Sequence, residues 1–223
     1  MDTVAPPPAT RPDGRSTRWA AHRRARREEL VSAAMRAISR HGAEVGMDEV
    51  AAAAGTSKTV LYRHFADKED LYLAVAARVN RNVTRELRAA VNLTSTPREA
   101  LSAMIATYLR RIEHDPEIYR FVVSHPLLER PTDRDPVQRI SSEIADATSR
   151  AMTAHLRAAG VTSELIDALA HGLIGMIRAA ADRWLSTPAR PGSEVLAAEL
   201  TALAWGGLSA ALPDHLTVLE EQR

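Results

Sequence analysis

Met47-Asp-Glu-Val-Ala-Ala-Ala-Ala-Gly-Thr-Ser-Lys-Thr-Val-Leu-Tyr-Arg-His-Phe-Ala-Asp-Lys-Glu-Asp-Leu71 holds two short helices, a glycine turn and the start of a third helix. Val50, Ala51 and Ala54 share one apolar face. Gly55 supplies the positive φ that lets the first helix end tightly, and Thr56 or Ser57 is placed to cap the next one. That next helix sends Val60, Leu61 and Phe65 inward and leaves Ser57, Lys58, Thr59, Tyr62, Arg63 and His64 on its outer side. Short donors, acceptors and cations on one face suit base edges and phosphates. The spacing predicts a helix-turn-helix whose second helix enters the major groove of double-stranded DNA.

Upstream, Leu30, Val31, Ala34, Ala37 and Ile38 recur at helical spacing from about Arg23 to Arg40, and His41-Gly42 stops that helix. Pro6-Pro7-Pro8, Pro12 and Gly14 sit among few apolar side chains, so residues 1–22 are expected to form a disordered arm. The arm is basic. Residues 15 to 27 carry Arg15, Arg18, Arg23, Arg24, Arg26 and Arg27 with no acid between them, a cluster suited to phosphate neutralisation and, as an arm, to the flanking minor groove.

Downstream, Asp67 reads as an N-cap, with Asp70 three positions on in a capping-box arrangement, for a long helix to about Val91. Further helices are expected from Pro97 to His114, Pro116 to Val123, Pro136 to Ala159, Ser163 to Leu185 and Ser193 to about Leu212, with a proline-bearing loop over residues 125 to 136. No period-two run is present. The chain is therefore expected to be all-α with about nine helices, residues 23–70 forming the DNA-binding domain and 71–223 a second helical domain.

Composition narrows the function classes. Lys plus Arg number 29 against 28 Asp plus Glu, so partners follow the distribution of charge rather than its sum. The absence of cysteine removes disulfides, thiol catalysis and thiolate zinc sites, and suits a reducing cytoplasm. No apolar signal core or membrane-length segment occurs, so a soluble cytoplasmic protein is expected. The sequons at Asn82 and Asn92 would matter only in a secreted chain. Asp167 and His171 stand four apart without a third ligand, which favours surface or interface pairing over a metal site, and His125 and His155 read as polar surface groups. With no nucleophile elbow, phosphate-binding glycine loop or zinc-protease motif, neither enzyme activity nor a cofactor is expected.

The order Val50-Ala51-x-x-Ala54-Gly55-x-Ser57-x-x-x-Leu61-Tyr62-x-x-Phe65-x-x-Lys68-x-x-Leu71 resembles the signature of the tetracycline-repressor (TetR) family of transcriptional regulators, over roughly residues 24 to 75. The resemblance implies that Ser57, Lys58, Thr59 and Arg63 face the groove, with His64 at the backbone. Lys58 and Arg63 suit guanine, and Thr59 a thymine methyl or a phosphate. Thr56, Arg23 and Arg24 complete the expected DNA-binding set. Tyr62, on the outer side, is placed to meet a phosphate. Lys68 opposes the dipole of its own helix, so a phosphate is its expected partner too.

The resemblance also implies a homodimer and a small-molecule cavity. On the helix from Ser163, a stripe of Ala168, Gly172, Gly175 and Ala179 has little side-chain volume. The last helix is similar, with Ala197, Thr201, Ala204, Trp205, Gly207, Leu208 and Ala211. Paired with their symmetry copies, the two helices can form a four-helix bundle, although the same stripe could instead pack them within one subunit. In the middle helices, Met104, Tyr108, Ile112, Tyr119 and Val122, with Met176 from a later helix, offer an apolar wall bearing two hydroxyls. Core filling accounts for the same residues. Aromatic side chains make up only 4% of the chain, which favours an aliphatic effector.

The expected function is thus a ligand-responsive homodimeric regulator, a repressor of a palindromic operator, released by an apolar or amphipathic molecule that shifts the helix from Asp67 through Leu71 and Val75. An effector-independent or activating DNA binder, and a helical carrier or enzyme, are the alternatives.

Overall fold

The computed structural model describes residues 14–94, 96–124 and 166–209, together with Asp146 and Arg150. Eight helices are assigned among them: α1 (Gly14–His41), α2 (Met47–Ala53), α3 (Lys58–His64), α4 (Lys68–Val91), α5 (Pro97–His114), α6 (Pro116–Ser124), α7 (Ile166–Leu185) and α8 (Ser193–Ser209). The described residues contain no strand. The chain is all-α, as its periodicity predicts. The helix expected from Pro136 to Ala159 and the loop before it lie outside the described residues, apart from Asp146 and Arg150.

One correction concerns the N-terminus. Helix α1 opens at Gly14, well ahead of Arg23. Nothing between Gly14 and Arg23 breaks a helix, and Arg and Ala are good helix formers, so the turns that bury Leu30 to Ile38 propagate toward the N-terminus. A helix about 10–12 Å across does not fit a minor groove about 6 Å wide, so residues from Gly14 onward do not form the groove-threading arm expected from the sequence.

Local chemistry fixes the junctions. Gly42 ends α1 at φ +94° with its amide on the Ile38 carbonyl at 2.8 Å, and Gly55 turns the chain between α2 and α3 at φ +60°. Ser57 takes the N-cap position of α3, but its side chain makes no capping bond. The Asp67 carboxylate accepts from the Asp70 amide at 2.7 Å. The reciprocal arm reaches one residue further back than a capping box would, because Asp70 accepts from the Ala66 amide at 3.1 Å while also holding Arg27. Thr96 and Glu99 form a full capping box ahead of α5, with Pro97 in the first turn. Asp115 caps α6 through the Ile118 amide at 3.1 Å and accepts from the Ser39 hydroxyl of α1 at 2.6 Å.

Two apolar cores follow. The first joins α1, α2, α3, α4 and α6 around Leu30, Ile38, Val50, Leu61, Phe65, Leu71, Val75 and Phe121. The second joins α5, α7 and α8 around Ile105, Leu109, Leu173, Trp184, Leu200 and Ala204. Tyr108 packs against both. At the far end of the second core, the Trp184 indole donates to the Pro191 carbonyl at 2.8 Å, and Glu113 accepts from both the amide and the hydroxyl of buried Ser193.

Arg27 ties the first core to the start of α4. Its guanidinium lies 4.2 Å from the Phe65 ring centroid, donates to the His64 carbonyl, and forks onto Asp70 at 2.6 and 3.3 Å. This hydrogen bond with Arg27 is the main reason the Asp70 carboxyl is held below its ordinary 3.8. Asp70→Asn is expected to lower stability near neutral pH by about 1 kcal/mol, a modest figure because both side chains are over a third exposed. The folded state depresses this pKa, so the stabilisation is complete above the unfolded value and fades as pH falls through the folded one. Urea denaturation of the two proteins should therefore differ at pH 7 and converge in acid.

Candidate nucleic-acid interface

Helix α3 is amphipathic in the sense its sequence predicts. Leu61 is 0% exposed, and Phe65, which follows the helix, 1%, whereas Tyr62 is 46% exposed. Ser57, Lys58, Thr59 and Arg63 are also exposed; Thr56 and His64 are half-buried. Burying Leu61 and Phe65 contributes about 1.5–3 kcal/mol each and sets which side the polar residues must take. Val60, expected inside, is only half-buried.

Arg23 and Arg24 are exposed, about one helical turn before Arg27 on the same side of α1. Both arginines therefore lie on the face of α1 that carries Arg27, which is anchored at the junction of α3 and α4. Arg27 itself does not belong with the free cations of the basic cluster. Its guanidinium is a structural clamp. Arg26 likewise pairs with Glu29 at 2.7 Å.

Two cations have partners that sequence reasoning did not supply. Lys58 Nζ lies 3.1 Å from Asp48 Oδ2 across the turn, and that hydrogen bond, reinforced by the charge of Asp48, raises its pKa. Lys68 Nζ sits 4.9 Å from the centroid of the Tyr72 ring, so its place against the helix dipole does gain something locally. Lys58 and Lys68 are the only lysines in the chain. Both fall in the candidate interface.

Tyr72 connects this surface to the interior. Its hydroxyl donates to the Val45 carbonyl just ahead of α2, and its ring meets Phe121 of α6 edge-on, with centroids 4.9 Å apart. Leu71 and Val75, the expected couplers, are fully buried beside it.

The residues expected to line an effector cavity divide between the cores. Met104, Tyr108, Ile112, Tyr119 and Met176 gather at the second core, and Val122 packs against the first. The Tyr119 hydroxyl donates to Asp182 of α7 at 2.6 Å, and Tyr108 meets the Tyr119 ring edge-on at 6.5 Å. Burial pushes the Tyr108 hydroxyl up to about 12, and burial together with Tyr108 and Asp182 raises Tyr119 as well, so both remain protonated donors. A concavity that the apolar pattern did not foretell runs along α4, lined by Asn80, Arg81, Thr84, Arg85, Arg88, Ala89 and Asn92. The signal for it was the arginine repeat at 81, 85 and 88. His171 Nε2 lies 3.3 Å from Asp146 Oδ1, while the Asp167 side chain falls outside the described residues. No cluster of three metal-ligating side chains occurs among the described residues, and no described helix is long and apolar enough to cross a membrane.

The sequence profile of bacterial regulatory proteins of the tetR family matches residues 30–75, and that of the tetracyclin repressor-like C-terminal domain matches residues 86–217. The chain belongs to the TetR family of transcriptional regulators. An uncharacterised HTH-type transcriptional regulator of Mycobacterium tuberculosis (strain H37Rv) is 34% identical to it over 197 residues, spanning 88% of this chain and 82% of that protein. The HTH-type transcriptional activator FasR of Mycolicibacterium smegmatis is 34% identical over 186 residues, 82% of this chain and 83% of its own. The regulator FadR from Bacillus subtilis, solved in complex with stearoyl-CoA, shares the fold with a TM-score of 0.65 at 17% identity, over 79% of this chain and 96% of that one.

In this TetR-family protein, Asp48 holds Lys58 and places an exposed carboxylate beside the outward face of α3. Asp48→Ala is expected to tighten binding to DNA of any sequence severalfold, because it frees the ammonium and removes a charge that repels phosphates. Fluorescence anisotropy at two salt concentrations reads this directly; unchanged affinity at both would show that the pair does not compete with DNA.

Proposed function

We propose that this TetR-family regulator binds an inverted-repeat operator as a homodimer and leaves it when an amphipathic acyl effector binds. In this reading residues 23–70 recognise DNA, and residues 71–223 take the effector and the partner subunit. The observation that carries the reading is the exposed polar face of α3, with Ser57, Lys58, Thr59, Tyr62 and Arg63 outward over a fully buried Leu61. Arg63 and Lys58, once released from Asp48, suit guanine; Tyr62, Lys68, Arg23 and Arg24 suit phosphates, with Thr56 and His64 flanking them. One such helix spans too few base pairs for specificity. A two-fold pair supplies two, for half-sites about 34–36 Å apart or at a spacing set by the subunit interface.

The dimer is supported by what α7 and α8 leave uncovered. Ala168, Gly172, Gly175 and Ala179 of α7 are exposed, whereas on the last helix most of the expected row is not. Ala197, Thr201 and Ala204 are buried and Trp205 is half-buried, with Ala197, Ala204 and Trp205 in the second core, and the uncovered face of α8 carries Val195, Ala202, Leu203, Gly206 and Gly207. Among the described residues, a Cβ added at Gly172, Gly175 or Gly206 would meet nothing within 4 Å. Close approach of a second copy would give the uncovered small residues of α7 a use.

An effector with a long acyl chain is supported by the stearoyl-CoA bound to a neighbour of the same fold and by the apolar wall of Met104, Ile112 and Met176. Entering beside Tyr108 and Tyr119, such a chain would separate α6 from α7 at the Tyr119–Asp182 bond. Phe121 of α6 and Tyr72 of α4 then pass the shift to the reader. A hundredfold loss of operator affinity needs about 2.7 kcal/mol of preference for the released spacing. Repression relieved by the effector is the primary reading. Activation is the second, favoured by the relative named as an activator.

Selection from a random DNA pool should return an inverted repeat; an unenriched pool refutes the regulator reading. Lys58→Ala should relax one base position at a cost of about 1–3 kcal/mol, whereas Tyr62→Phe should weaken all sites alike. Gly175→Leu should leave helicity intact and weaken self-association at least tenfold, about 1.4 kcal/mol, in analytical ultracentrifugation. Equal dimerisation of both proteins would remove α7 from the interface.

A further inference from the structure

The outward side of α4 carries an arginine row that none of the roles above uses. Arg81, Arg85 and Arg88 stand at i, i+4 and i+7, so their guanidiniums rise one above another on one face, and all three are exposed. With Asn80, Thr84 and Asn92 they line a surface groove of about 520 Å³.

Charge is poorly matched along this row. Arg81 shares the single carboxylate of Glu28 with Arg78, at 3.5 Å from its oxygen. Arg85 donates to the neutral amide oxygen of Asn82 at 3.1 Å, and among the described residues no carboxylate pairs with Arg85 or Arg88. Like charges at these spacings repel and destabilise a helix, so a bound anion would relieve a cost that the fold otherwise carries. Guanidinium forks match phosphate oxygens two at a time, and the flanking Asn92 amide adds donors for a sugar or a second phosphate, while the Thr84 hydroxyl donates to Asn80 at 3.3 Å. DNA is a poor candidate for this anion. Asn80 lies twelve residues beyond Lys68, about 18 Å further along the helix axis from the reading surface.

We infer that the α4 groove binds the diphosphate-bearing polar head of the effector, a nucleotide-like headgroup, through Arg81, Arg85 and Arg88. The inference rests on the amphipathic effector proposed above and assigns its charged end to a place distinct from the apolar wall. Free diphosphate presents the same chemistry, and the test separates the two sources.

Full-length protein is titrated calorimetrically with coenzyme A, which has the headgroup without an acyl chain, and with inorganic pyrophosphate. Wild type is compared with R85A/R88A and with a control of equal charge change outside the groove, R98A/R110A; circular dichroism verifies that all three are folded. Coenzyme A should bind the wild type, lose at least tenfold in affinity for R85A/R88A, and bind the control within about twofold. Pyrophosphate binding as tightly as coenzyme A would overturn the nucleotide headgroup in favour of free diphosphate. No binding of coenzyme A to the wild type, or equal binding to R85A/R88A, overturns the groove as its site.

A second readout uses operator release. Stearoyl-CoA should need at least tenfold higher concentration with R85A/R88A than with the wild type, while stearate acts on both alike. If stearoyl-CoA releases both proteins equally, the groove assignment falls and the effector reading stands. If coenzyme A binds the groove but neither acyl compound releases DNA, the groove stands and the effector reading falls.

Discussion

A single guanidinium holds the DNA-facing end of this molecule in register. Arg27 stacks on Phe65, caps the last turn of α3 at the His64 carbonyl, and forks onto Asp70 at the start of α4. Three helices therefore share one rigid joint. Helix α3 has only 7 residues, too few to stay helical on their own, so its direction is dictated by what it packs against. Arg27 connects that direction to the axis of α4. A rotation of α4 relative to α1 that keeps the joint intact must carry α3 with it.

The joint also explains why α6 matters to a surface it does not touch. Phe121 and Ile118 of α6 are buried in the same core as Leu61 and Leu71, and Ser39 of α1 anchors the cap of α6 at Asp115. On its other side, α6 reaches the second core through Tyr119, whose hydroxyl is held by Asp182 of α7. One short helix is thus fastened to both apolar bodies. In the proposed mechanism it is the lever through which an effector among α5, α6 and α7 acts on DNA binding.

Much of this was legible in the chain. The 3.6-residue periodicity of Leu30 to Ile38, the glycine at 55 and the aspartate at 67 mark helices and turns locally, and the structure keeps them. Which side of α3 is buried was equally readable from Leu61 and Phe65. The partners of ionic side chains were not. Nothing local distinguishes Arg27, which clamps the fold, from exposed Arg23 and Arg24, because the difference lies in Phe65 and Asp70, some forty residues away. The same holds for Lys58 and Asp48, which meet only because the turn brings two helices together. The start of α1 is less legible, because proline and glycine near the terminus argue against a helix while the arginines and alanines that follow favour one. The groove on α4 has no apolar signature, since its lining is a row of arginines with polar neighbours.

The first core closes on Phe121, yet the segment that reads DNA ends some fifty residues earlier. During synthesis the N-terminal helices leave the ribosome well before α6, so until it arrives they have an unfilled gap against Tyr72. The reader's final shape is therefore a late event, reached when more than half of the polypeptide has been made. Cutting the gene after α4 to obtain a minimal operator-binding fragment would give a protein with an open flank.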